Sequence, residues 1–418
     1  MYETGKDGIQ VCEVDGGTFY ENASRLQRMN ILNTVDPEHP YLIDLYRVTG
    51  GKRHTYLLGG STRQDEKYKY KPLVRSSFPL EKFEKGDEDL LRGITSAYII
   101  PFYNTFEGGK GITSDANGNW WVKMMDDKKS FGLKVLMVDD GNSELFLGTT
   151  VAPTMSEGFA AANTRSTLLV RRELPGVASE DEQLDSFFVG VMEVMDSKDG
   201  EQAESVVEKI ERVPLAEKKP EHICLKVYMK GGRVDTYLVS MNTPEITGKE
   251  PGTVKTADGE FEMQGRIGIN ISGAGDLDCT KLIGANYIKT NGETLTADKA
   301  FYKGELIGAE REDGMYLVSN TELPEGDALK GKFLSMEYPP IKIVPNEMGE
   351  YPRGIEMQEG VIEVYEIDHV ENRDGKTYIY TAGDHGLEID RRSVQECYRP
   401  QRTAYGTATY KIWTRANR

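Results

Sequence analysis

The sequence predicts an all-β protein: a large antiparallel β-sandwich followed by a small C-terminal β domain. Three observations predict it. Short runs of β-branched and aromatic residues recur along the chain and end at Gly, Asn or Asp turns. Helical periodicity is scarce. The 22 tyrosines and 13 phenylalanines are spread over all 418 residues, enough apolar material for packed cores rather than disorder.

In chain order, YLIDLYRV (41–48) and HTYLL (54–58) flank Thr49-Gly50-Gly51-Lys52 and read as a hairpin closed by a tight turn. Further strand runs are GLKVLMV, STLLVRREL, SFFVGVMEV, ICLKVYM, DTYLVSM, GRIGINIS, YIYTAG and ATYKIWT. Asp87 to Arg92 is long enough for one helical turn. Ser205 to Val213 sets Val206, Val207, Ile210 and Val213 at helical spacing, an ambiguous signal. The surrounding Asp196 to His222, rich in Asp, Glu and Lys, reads as a surface loop, as does Thr243 to Gly259. A chain of this length exceeds one ordinary core. The composition change near Glu310 to Gly314 places a boundary there, giving a sandwich over 1–310 and a small β domain over 311–418.

A net charge of −17 opposes long-range attraction to nucleic acid or an anionic membrane, and neither is expected as a partner. No stretch is apolar for the length a bilayer requires, and the N-terminal text has no signal-peptide pattern. Cys12, Cys224, Cys279 and Cys397 lie too far apart for a CxxC knuckle and read as mostly core thiols. No metal and no cofactor is expected.

Candidate binding residues fall in two places. Trp120 and Trp121 follow an Asn117-Gly118 turn and project to opposite faces of a strand, so one can be core while the other faces outward, placed to stack on a sugar ring. Lys67, Lys69 and Lys71 alternate with Tyr68 and Tyr70. That pattern suits a grip on an anionic glycan, and equally an edge strand defended by lysines. Arg171-Arg172 has the same two readings. The segment Asp36 to Gly60 carries Asp44, Arg47, His54 and Tyr56. Asp44 and Arg47 have opposite parity and cannot form a simple pair, whereas His54 and Tyr56 share a face and are residue types suited to proton transfer.

That segment resembles the heparinase II/III-type polysaccharide lyases, whose C-terminal β region carries D-x-F-R-V-x-G-G-x-x-H-D-Y-x-x-H-G. Asp44, Arg47, Val48, Gly50, Gly51, His54, Tyr56 and Gly60 match; Thr55 replaces the usual Asp, and Gly59 stands where His is common. Upstream, Tyr20 preceding Arg28 is similar to the family's run, and weaker similarity continues to RPQRTAYGTATYKIW. The resemblance implies β-elimination on uronic-acid glycans in a periplasmic or secreted setting. It also implies an α/α toroid that supplies a Tyr and a His for proton transfer, with H-x-H-x-D and H-N-T motifs in the sandwich.

Neither motif is present. The five histidines, His39, His54, His222, His369 and His385, never occur at H-x-H spacing. Elimination beside a uronate needs its carboxylate neutralised, the C5 proton removed and the departing O4 protonated, so these groups must converge. The leading expectation is therefore the β-sandwich portion of such a lyase, inactive alone, with the toroid in a longer precursor or on a separate chain. A free-standing carbohydrate-binding module for acidic polysaccharides or oligosaccharides comes second. An intact lyase using His54 and Tyr56 comes third.

Overall fold

The structure is a computed structural model. It describes residues 2–4, 7–16, 22–59, 75–76, 81–82, 107–108, 119–125, 131–138, 143–151, 164–174, 179, 181–197, 203–242, 249–290, 292–312, 314–343, 355–356, 361–398 and 402–418. Among these residues every long element is a strand, and the helical pieces are single 3-10 turns such as Lys230–Gly232. The predicted all-β sandwich is what the chain forms.

Three sheets stack. The middle one runs Tyr2–Thr4, Ile9–Asp15, Arg25–Asn33, Tyr41–Thr49, Asp185–Asp196, Phe131–Met137, Trp120–Met125 and Arg75–Ser76. One of its faces buries Val48, Val122, Val135 and Phe188 against Tyr56, Leu168 and Val170 of a five-stranded outer sheet that begins with Arg53–Gly59 and Thr164–Glu173. The other face buries Ile9, Ile31, Ile43 and Val189 against Ile223, Leu225, Val239 and Ile267 of a second outer sheet. That sheet runs from Val207–Val213 through His222–Met229, Val234–Ser240, Phe261–Ser272 and Cys279–Thr290 to Glu293–Thr296. Covering both faces explains why Asp185–Asp196 is buried at six successive positions instead of alternating.

Polar clusters key the middle sheet to the second outer sheet. Arg266, fully buried, ion-pairs with Glu13 and donates to the Asn242 carbonyl at 2.6 Å. The Tyr41 hydroxyl donates to Asp235 at 2.6 Å, and the Arg233 guanidinium holds the same carboxylate by two bonds of 2.7 and 2.8 Å. Such groups cost too much to bury unpaired, so they fix how the sheets are placed.

The rest of the chain forms a closed barrel of Phe301–Glu310, Tyr316–Ser319, Lys376–Thr381, Val361–Arg373, Phe333–Tyr338 and Ala408–Trp413, sharing a core with a five-stranded sheet that includes Ser393–Glu396 and Leu387–Ile389. The expected boundary at 310/311 thus falls at the end of the barrel's first strand, and the barrel begins with Phe301. The last strand, Arg415–Asn417, returns to pair with Cys279–Thr290 of the sandwich.

Three local expectations are corrected. Tyr41–Thr49 and Arg53–Gly59 do not pair with each other; the first joins Arg25–Asn33 and Asp185–Asp196, the second joins Thr164–Glu173. Gly50-Gly51 therefore makes an arch between two stacked sheets, not a hairpin. Asp196 to His222 is not all loop, because Val207–Val213 is an edge strand with a register shift between Val207 and Lys209. That bulge returns Ile210 to the face of Val207 while Val213 joins a core on the opposite face, and this mimics helical spacing. Thr243 to Gly259 likewise contains the strand Thr253–Lys255. All four cysteines are free, and Cys224 alone is fully buried, its thiol pushed up to about 12 by burial. Asp87 to Arg92 lies outside the described residues.

Candidate functional site

Asp44, Gly50, His54 and Tyr56 form a compact cluster between the middle sheet and the first outer sheet. Tyr41–Thr49 sits centrally in the middle sheet, and its even positions, Leu42, Asp44, Tyr46 and Val48, face Arg53–Gly59 across the interface. Asp44 is 1% exposed. Its Oδ1 accepts from Arg28 Nε at 2.8 Å and Asn30 Nδ2 at 3.0 Å; its Oδ2 accepts from Arg28 Nη2 at 2.6 Å and the Tyr56 hydroxyl at 2.7 Å. Four donors saturate the carboxylate. The Arg28 guanidinium lies 5.5 Å from the centres of both the Tyr46 and Tyr56 rings, and Tyr56 stacks on Phe188 at 5.6 Å. Arg47 points the other way, to Asp185 at 2.9 Å, as the strand parity requires.

His54 and Tyr56 do share a face, but each is committed. His54 Nε2 lies 2.6 Å from the Gly50 carbonyl, which can only accept, so Nε2 carries the proton and Nδ1 accepts from the Ser186 hydroxyl at 2.8 Å. The ring is 6% exposed, and burial holds its pKa below the ordinary histidine value. Burial, then the neighbouring Asp44 charge, pushes the Tyr56 phenol well above its usual range. A neutral imidazole with both nitrogens engaged and a phenol that donates to a carboxylate are poorly placed to remove a C5 proton. Together they tie the arch to the middle sheet. A cavity of about 370 Å³ opens beside them, lined by Asn22, Tyr46, Gly50, Gly51, Arg53 and His54.

The two tryptophans project to opposite faces. Trp120 is 3% exposed, in the core with Val122, Val135 and Leu168. Trp121 is 42% exposed near the sheet's edge, with Lys123 Nζ 5.7 Å and Lys134 Nζ 5.8 Å from its ring. Lys134 is buried, donates to Ser205 Oγ at 2.7 Å and to the Val207 carbonyl, and is pulled down to about 8 by desolvation. Lys123 is half-buried, with its Nζ over the ring. An aromatic face next to an ammonium can stack a pyranose and neutralise its carboxylate.

Lys67, Lys69 and Lys71 lie outside the described residues. Arg172 is buried over Phe188 at 4.3 Å and donates to the Phe187 carbonyl, which makes it structural. Sequence reasoning missed Lys123 as a companion of Trp121, although its parity on the strand gives the signal. It missed Arg28 as the main partner of Asp44, which becomes visible only when Arg28 and Tyr46 are set in register. No protein-family model matches this chain. No curated protein is similar to it in sequence.

Proposed function

We propose that this chain is the β-structured portion of a heparinase II/III-like polysaccharide lyase for uronic-acid glycans, dependent on an α/α toroid for catalysis and inactive alone. The observation that carries this reading is the fate of the resembling segment. Asp44, Gly50, His54 and Tyr56 are spent on holding two stacked sheets together. A motif that builds a sheet stack belongs to the scaffold of such an enzyme, and the proton-transfer groups then come from elsewhere.

The test incubates the purified chain with heparan sulfate, hyaluronan, chondroitin and alginate and follows the ultraviolet absorbance of the unsaturated uronate product. No cleavage is expected. Robust turnover by the wild type that His54→Ala abolishes would sink this reading and restore the intact-lyase one.

A second reading, a carbohydrate-binding module for acidic glycans, is favoured by Trp121 with Lys123 beside its ring. Both readings place an acidic polysaccharide on this chain. They separate on whether an added toroid, encoded upstream or on another chain, restores elimination.

A further inference from the structure

We propose that a cavity at the edge of the sandwich, between Asn119 and the turn after the strand Val207–Val213, binds the oxyanion of an acidic sugar. The cavity encloses about 550 Å³ and is lined by Asn119, Glu211, Arg212, Lys218, Lys219 and His222 among others. The sugar part of this assignment rests on the glycan reading above; the oxyanion part rests on the cavity alone.

Its charge is the first ground. In a chain of net charge −17, three cations gather around one hollow. The acid among the lining residues, Glu211, accepts the Tyr228 hydroxyl at 2.6 Å. Lys219 meets Glu217 at 3.0 Å, and Lys218 has no ion pair among the described residues. The lining thus sets three cations against one carboxylate, and a concave site with an excess of one sign of charge concentrates the opposite ion.

His222 is the second ground. It is 2% exposed, and its buried Nε2 has no hydrogen-bond partner. A buried polar atom left unpaired is costly, and native proteins keep few of them. The charged groups around the ring are already accounted for: Lys219 and Glu217 face each other, and the Glu221 carboxylate accepts from Asn242 at 3.0 Å and lies 3.8 Å from Arg47. Against the ring stands Gly252, where a Cβ would come within 3.0 Å of Cε1 and 3.2 Å of Nε2. Glycine at this place keeps that edge of the ring free of a side chain, and the ring itself lines the cavity, within reach of a ligand held there.

The cavity also adjoins the aromatic platform. Asn119 donates to the Ile210 carbonyl at 2.9 Å, and Lys134, beside Trp121, donates to the Val207 carbonyl, so Asn119 and Trp121 face the same outer sheet. Two residues of extended chain separate them by about 7 Å. A sugar stacked on Trp121 lies within reach of Asn119, which lines the cavity.

The test titrates the full chain with an unsulfated hyaluronan tetrasaccharide and, separately, with inorganic sulfate, reading affinity by calorimetry and the His222 imidazole signals by NMR, assigned with His222→Gln. Both ligands should shift the His222 signals. Lys218→Glu with Lys219→Glu should weaken tetrasaccharide binding by at least about tenfold while leaving Tm unchanged. If sulfate shifts His222 and the tetrasaccharide does not bind, the oxyanion site stands and the glycan reading falls. If the tetrasaccharide binds the double variant as tightly as the wild type and only Trp121→Ala removes it, the glycan reading stands and this site falls. Silence of His222 toward both ligands overturns the proposal.

Discussion

The Tyr56 hydroxyl, on an outer sheet, donates a 2.7 Å hydrogen bond to the carboxylate of Asp44, in the middle sheet. Arg28 holds the same carboxylate by two further bonds. A single buried charge thus joins two strands of one sheet to a strand of the next. Removing one partner should cost more than the bond itself, because the groups left behind stay desolvated.

Asp44→Ala leaves the Tyr56 hydroxyl buried without its acceptor and Arg28 without its counter-charge. Arg28 keeps contact with water, so the expected loss is about 2–3 kcal/mol, below the range for a fully buried pair. Tyr56→Phe leaves Asp44 three of its four donors and should cost about 1.5–2 kcal/mol, the low end for a hydrogen bond to a charged group. Urea unfolding of both variants and of the double variant measures them. Losses that add instead of overlapping would mean the two residues are not coupled.

Gly50 and Gly51 give a contrast at adjacent positions. Both have positive φ, 109° and 65°, but a Cβ on Gly50 would come within 2.2 Å of the Asn22 carbonyl oxygen, whereas on Gly51 its nearest neighbour lies at 3.8 Å. Gly51→Ala pays backbone strain only, about 1 kcal/mol. Gly50→Val adds a collision with backbone and should prevent the arch from closing, seen as loss of soluble protein or of a cooperative thermal transition. Equal tolerance at both sites would contradict the arch geometry.

The strands were legible in the sequence because alternation and β-branched runs are local properties: each run named from Tyr41 to Thr414 lies in or at the edge of a strand. What each strand pairs with was not. Gly50-Gly51 has the same local signature whether the chain returns to its own sheet or crosses to the next. The choice is made by Leu184, whose backbone accepts from Gly50 and donates to Gly51, more than 130 residues away. The site divides the same way. Parity alone set Trp120 and Trp121 on opposite faces, but both faces of the middle sheet are covered over most of their area, so only the position of this strand near the sheet's edge leaves Trp121 in contact with solvent.

Acid should weaken the fold through its buried histidines. Burial lowers the pKa of His54, His222 and His385 below the unfolded value of 6.5. When pH falls through about 6.5 the unfolded chain takes up protons that the folded chain refuses, so stability is full above that value and declines below it. Urea midpoints measured from pH 7.5 to 5 should fall, and His54→Gln should flatten the slope. A slope unchanged in His54→Gln would place the titration at the other two histidines.

The neighbouring tryptophans should respond in opposite ways to the same substitution. Trp120→Ala opens a hole among Val122, Val135 and Leu168 and is expected to cost about 3–5 kcal/mol. Trp121→Ala removes a ring that is 42% exposed, so its cost should be smaller, about 1–2 kcal/mol. On affinity gels cast with hyaluronan or alginate the order reverses: wild type should be retarded, Trp121→Ala should run free, and Lys123→Ala should lose part of the retardation because the ammonium beside the ring goes with it. A conservative Trp121→Phe keeps a smaller aromatic face and should retain intermediate retardation, which separates loss of stacking from loss of fold. Retardation unchanged in Trp121→Ala, with the protein folded by circular dichroism, would remove this residue from any glycan surface and leave the aromatic as a solvent-exposed side chain at a sheet edge.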